Sequence, residues 1–311
     1  MEGRGALGME KQFYRFVQRV QEENLGVEAV AVADKDRILL EHHFTPDKER
    51  NIYSHTKSYM STAAGIAISE GKLCLEDRLA DFFPEKLPKE PQPELFEITL
   101  RHLLTMSSGF HHAYLMNADR RNGVGMPDYM SYMLSRKVET KPGSEFVYST
   151  ADSILAGRMI EKATGKRLSE YLYEKVFEPL GQGYPMWEND AQGHPVGGGG
   201  MFMKLADMMK RGQLYLADGK WNGRQLVDTE WIKEATSKQI STPDEGKSIW
   251  SCGYGYQFWL SPYPDSYRAD GAFGQITTVL PQKGLAVAVQ CPENGDFEKV
   301  KTALHELMSD I

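Results

Sequence analysis

Apolar positions along the chain change period several times, and each change marks an element. Phe13, Phe16, Val17 and Val20 recur at helical spacing and predict an amphipathic helix over 10–21. Two apolar runs, 27–33 and 37–41, flank Asp34-Lys35-Asp36, a hairpin pattern. An extended stretch, 49–53, then gives way to a helix of small residues over 58–68. From about 77 to 200 the pattern becomes short helical segments divided by Pro, Gly and aromatic loops, including 100–106 and 153–163. After a helix near 203–216 the chain returns to β character at 254–260, 275–280 and 284–290, and a helix over 297–308 closes it. Strands at both ends with helices between them predict an α/β (α+β) protein. Residues 9–76 and 201–311 would form one lobe from the two termini, and 77–200 an inserted, mainly helical lobe.

Composition narrows the function classes. With 311 residues, 41% hydrophobic and 25% charged, the chain suits a folded globular protein with a substantial core. Lys and Arg total 36 against 43 Asp and Glu, a net charge of -7 with both signs interspersed, so no basic stripe invites nucleic acid. No stretch approaches the roughly 20 apolar residues of a membrane span, and residues 1–8 lack the apolar core of a secretory leader. Met9 is an alternative start. Cys74, Cys252 and Cys291 have no metal-ligand spacing, and their odd number does not suit a disulfide framework. Together these features predict a cytoplasmic protein with neither a nucleic-acid nor a membrane partner and without cofactor or metal.

The candidate chemistry begins at Ser54-His55-Thr56-Lys57, where the extended stretch meets the helix. A serine and a lysine three positions apart on a helix share one face, so the ammonium reaches the hydroxyl. The first helical turn also leaves backbone N–H groups free to meet a developing oxyanion. About one such spacing is expected by chance in a chain of this length, and a second, Ser69-Glu70-Gly71-Lys72, reads as a helix end. Gly197-Gly198-Gly199-Gly200 has neither frame of a phosphate cradle and reads as a flexible or close-packed turn.

Further segments give the serine and lysine their context: Leu103-Leu104-Thr105-Met106-Ser107-Ser108-Gly109, then Tyr148-Ser149-Thr150, then Gly271-Ala272-Phe273-Gly274-Gln275. Phe177-Glu178-Pro179-Leu180-Gly181 and Trp221-Asn222-Gly223-Arg224-Gln225-Leu226 match as packing and turn segments. In this order, from about 27 to 289, the chain resembles the serine β-lactamase and penicillin-binding protein superfamily, in the branch of class C β-lactamases, esterases and CubicO-type hydrolases. The resemblance implies a β-lactamase/transpeptidase-like fold, an antiparallel sheet flanked by helices plus a helical lobe. It also implies acyl transfer through a covalent acyl-enzyme.

By that resemblance Ser54 is the nucleophile, Lys57 its partner and Tyr148 the proton carrier. Lys57 acts as base only if its pKa falls by roughly three units; otherwise it stays charged and supports a Tyr148 phenolate. Two departures stand out. Thr150 occupies a position usually held by asparagine, and no Lys-Thr-Gly or His-x-Gly triplet lies near Gly271. The register adopted places Asp270-Gly271-Ala272 there, with the Ala272 N–H joining that of Ser54 in an oxyanion hole. Arg268 is the candidate for the missing cation, which β-lactam carboxylates require. His111 and His112, after Phe110, either line the substrate cleft or sit on a solvated loop, and His111 is carried as a candidate substrate contact. The expected reaction is therefore hydrolysis of an ester or amide ahead of efficient β-lactam cleavage. An acyltransferase, or a weakly catalytic penicillin-binding or sensor protein, is the alternative.

Overall fold

The computed structural model describes residues 2–293 and 296–311. Its strands are β1 (Ala29–Ala33), β2 (Ile38–His43), β3 (Arg50–Asn51), β4 (Met186–Trp187), β5 (Met201–Met203), β6 (Lys220–Trp221), β7 (Arg224–Gln225), β8 (Trp259–Leu260), β9 (Tyr267–Gly271), β10 (Gln275–Leu280) and β11 (Leu285–Gln290). The helices are α1 (Glu2–Glu22), α2 (Thr56–Ser69), α3 (Leu79–Phe82), α4 (Leu100–Leu104), α5 (Asn117–Arg121), α6 (Tyr129–Leu134), α7 (Thr150–Thr164), α8 (Leu168–Leu172), α9 (Leu205–Leu216), α10 (Thr229–Ala235) and α11 (Phe297–Asp310).

The main sheet runs β2-β1-β11-β10-β9-β8, and all its pairings are antiparallel. Strand β1 from the start of the chain thus lies beside β11 from its end, with Ala29 opposite Gln290 and Ala33 opposite Ala286. The alternation of Ala and Val in both strands sorts the two faces. Val30, Val32, Val287 and Val289 face Phe13, Phe16, Val17 and Val20 of α1 and Val300, Leu304 and Leu307 of α11. Ala29, Ala31, Ala33, Ala286 and Ala288 face Leu205 and Met209 of α9. The methyl-sized face admits α9 closely: a Cβ on its Gly212 would stand 3.0 Å from Thr277 Cγ2.

Helix α2 lies under the sheet and is buried from Thr56 to Ala67. Small side chains let neighbours close on it from several directions, α7, α8 and α10 among them. Between 77 and 200 the chain is mainly short helices, with β4 pairing to β5, which also pairs with β3. No helix among the described residues is long and apolar enough to cross a membrane.

One predicted strand is reduced. Of 254–260, only Trp259–Leu260 is strand, because Gln257 has a positive φ of 63° and turns to the end of α4. Its backbone N–H donates to Leu104 O at 3.0 Å, and its side-chain amide donates to the Leu103 and Leu104 carbonyls. Gln257 satisfies its polar groups there, while Tyr254 forms an isolated bridge to Ile240 and Tyr256 N donates to Ala235 O at 2.9 Å, so no continuous ladder forms.

Candidate active site

The turn that presents Ser54 is held from both sides. Ile52 N donates to Met201 O at 2.8 Å, Tyr53 N to Asn51 Oδ1 at 2.9 Å, and His55 N to Ile52 O at 3.1 Å. Tyr53 takes a φ of 47°, in the left-handed region, and a single 3-10 turn over Tyr53–His55 follows before α2 begins. Non-glycine residues in that region carry a backbone cost that the surroundings must offset. Strand β9 presses against the turn: a Cβ on Gly271 would fall 2.1 Å from Ile52 O and 3.2 Å from His55 N. Only glycine permits that approach, and it brings Ala272 into the same cleft as Ser54.

Lys57 is the second residue of α2, with its ammonium enclosed. Nζ is 3.2 Å from Ser54 Oγ, 2.7 Å from Gly198 O and 3.5 Å from Thr150 Oγ1, and stands 5.0 Å from the centroid of the Tyr148 ring. The residue is 1% exposed. Burial, seconded by the Arg120 guanidinium and opposed by Asp152, lowers its pKa to about 7. Burial of Tyr148 among aromatic rings pushes its phenol well above the ordinary value, while the Ser54 hydroxyl pulls the other way. Its ring stacks on Trp259 at 5.5 Å between centroids.

Four expected residues therefore meet: Ser54, Lys57, Tyr148 and Thr150. Gly271 and Ala272 join them through β9. His111 does not. Its ring is exposed and faces Glu145 at 3.9 Å on a surface loop, and His112 faces Glu139 at 3.8 Å. Two imidazoles beside carboxylates in solvent gain nothing from turning inward, and the cleft wall is built from other residues. Arg268 does line the cleft but is not a free cation. Nε donates to Asp270 Oδ2 at 3.0 Å, its terminal nitrogens donate to the Leu260 and Trp250 carbonyls, and its plane lies 5.1 Å from the Trp250 ring.

Sequence reasoning did not assign a role to three contributors. Gly198 supplies the carbonyl that holds Lys57, and a Cβ there would stand 2.8 Å from Thr150 Cγ2 and 3.2 Å from Lys57 Nζ. The glycine run was the available signal. Asp152 is buried on α7, accepts from Ser108 Oγ at 2.8 Å and leaves Oδ2 without a partner; burial raises its pKa to about 7. Trp259 walls the phenol, and nothing in the pattern distinguishes it from the other tryptophans. The cleft has a volume of about 620 Å³. Among the described residues no cluster of His, Cys, Asp or Glu is placed to hold a metal ion.

Comparison with known proteins bears on the fold and the family. A lovastatin esterase of Penicillium rubens is 28% identical over 166 residues, which are 46% of this chain and 41% of that protein. The stretches matched in the first curated relatives span 32–41% of those proteins' length. The octameric penicillin-binding protein homologue from Pyrococcus abyssi superposes with a TM-score of 0.73 at 23% identity, covering 97% of this chain and 77% of that one. EstCE1, a hydrolase with promiscuous acyltransferase activity, superposes with a TM-score of 0.75 at 18% identity, covering 97% and 99%. Likeness at these identities establishes the β-lactamase/transpeptidase-like fold. The family profile described as Beta-lactamase matches residues 15–307, nearly the whole chain, and the chain belongs to that family.

Proposed function

We propose that the protein is a serine hydrolase that forms an acyl-enzyme on Ser54 and acts on small esters or amides. The observation that carries this reading is the buried Lys57 ammonium 3.2 Å from the Ser54 hydroxyl, with its pKa lowered to about 7. At neutral pH about half of the molecules then hold a neutral amine beside the hydroxyl, against under ~0.1% for a free lysine. This favours Lys57 over a Tyr148 phenolate as the base, because the phenol is pushed away from ionisation.

In the reaction, Ser54 Oγ bonds to the acyl carbon while its proton passes to Lys57 Nζ. The carbonyl electron pair moves to oxygen, which the N–H groups of Ser54 and Ala272 receive. Collapse expels the alkoxide or amine, which takes a proton through the Tyr148 hydroxyl, replenished from Lys57. Water then attacks the acyl-enzyme by the same route in reverse and frees the acid. Thr150 Oγ1 and Gly198 O hold the lysine throughout. The names of the lovastatin esterase and of EstCE1 support ester chemistry, and the latter supports a second reading in which an alcohol replaces water as acceptor. A cytoplasmic setting and a small-molecule partner belong to this proposal.

The test is p-nitrophenyl butyrate hydrolysis by wild type and Ser54→Ala, with a chromogenic cephalosporin alongside and intact mass after mixing. Ester turnover and an acyl adduct, both lost in Ser54→Ala, are expected. Turnover that survives the substitution would sink the assignment, and an adduct without turnover would identify a sensor.

A further inference from the structure

The cleft above Ser54 carries four charged side chains, and all four are paired, Asp270 through one oxygen alone. Lys301 Nζ is 2.9 Å from Glu298 Oε1 and 4.6 Å from the centroid of the Phe297 ring. Asp244 is exposed at the mouth and paired with Lys247 at 2.8 Å. Arg268 directs its guanidinium to Asp270 Oδ2 and to two backbone carbonyls. Asp270 differs: among the described residues no side-chain or backbone donor other than Arg268 Nε reaches its carboxylate, which leaves Oδ1 open. Its side chain is 14% exposed against 5% for Arg268, so the negative end of the pair faces the cleft.

The placement matters because Asp270 directly precedes Gly271, the residue pressed against the nucleophile turn. Its charge also acts on the Tyr148 phenol. A substrate seated on Ser54 thus extends past a half-satisfied carboxylate in a partly desolvated cleft, where a unit charge is weakly screened. The neighbouring wall of Phe146, Tyr148 and Trp259 offers aromatic surface, which suits a cation better than an anion.

We propose that Asp270 selects acyl substrates by charge, accepting an ammonium on the acyl chain through its open oxygen and turning away a carboxylate there. This deepens the serine-hydrolase reading and rests on it. The substrate class is then an ester or amide bearing an amine.

Three p-nitrophenyl esters with six-carbon acyl chains test it: 6-aminohexanoate, hexanoate and the adipate half-ester. For wild type at pH 7.5, kcat/KM should fall in that order, with about tenfold between the charged ends. Asp270→Asn should collapse or invert the order, because Arg268 is then uncompensated. Should that variant fail to fold, inhibition of hexanoate-ester hydrolysis by wild type decides, with hexylammonium expected to compete better than hexanoate. Ser54-dependent turnover with equal rates, or with the half-ester fastest, would overturn the charge selection and leave the hydrolase intact. Absence of turnover on all three esters would overturn the hydrolase reading and this inference together.

Discussion

Lys57 is where sequence and environment act in opposite directions: an ordinarily charged side chain sits where burial, and the charge of Arg120, favour the neutral form. The expected consequence is an acylation rate that rises with pH through about 7 and levels off above, measured by single-turnover ester cleavage. A flat profile from pH 5.5 to 9 would contradict the lysine base. Asp152 titrates with the other sign. Burial raises its folded pKa to about 7, so the fold favours the protonated acid. Stability is fully present below the unfolded value of about 3.9 and is lost as pH rises through the folded value. Asp152→Asn keeps the acceptor for Ser108 Oγ and removes the titration. Its melting temperature should therefore gain on wild type between pH 5 and pH 9; a difference independent of pH would refute the buried-acid account. Gly198→Ala places a methyl against Thr150 and the Lys57 amine. Displacing the base should lower kcat/KM on the order of a hundredfold, checked on the butyrate ester.

At the scale of elements, α2 carries Lys57 and follows directly on the turn that presents Ser54, and it is fixed by what its small residues admit. A Cβ on Gly65 would fall 2.2 Å from Trp231 Cδ1 on α10. Gly65→Ala should thus cost about 1–3 kcal/mol by overpacking, read from urea midpoints; a stability unchanged within 0.5 kcal/mol, on the scale of ordinary surface substitutions, would mean that α10 yields. This element was legible in the sequence because small-residue helices leave a recognisable run, and so were the hairpin of β1 and β2 and the amphipathic α1. The segment 254–260 was not, since its aromatic residues have strand propensity whichever partner satisfies their backbone. Gln257, whose amide seals the end of α4, redirects the chain through contacts roughly 150 positions distant. Within the site, Ser54, Lys57 and Tyr148 were readable from ordered motifs. The Arg268–Asp270 pairing was not, because a sequence does not say which charges neutralise each other.

At the scale of the molecule, one apolar cluster joins α2 and α10 to α4, α6, α7 and α8, and extends to Tyr267 and Val279 of the sheet. Residues of both expected lobes contribute to it. We therefore expect a single thermal transition in which calorimetric and van't Hoff enthalpies agree. Two resolved transitions would show that the lobes unfold separately. The pairing of β1 with β11 carries a consequence for biosynthesis. During translation, β1 acquires its hairpin partner early, but its other edge stays unpaired until residues 285–290 emerge. At common elongation rates that interval is on the order of ten to fifty seconds. For that time a fully apolar Ala-Val strand waits with an open edge, which makes the nascent chain, ahead of the finished enzyme, the form most exposed to aggregation.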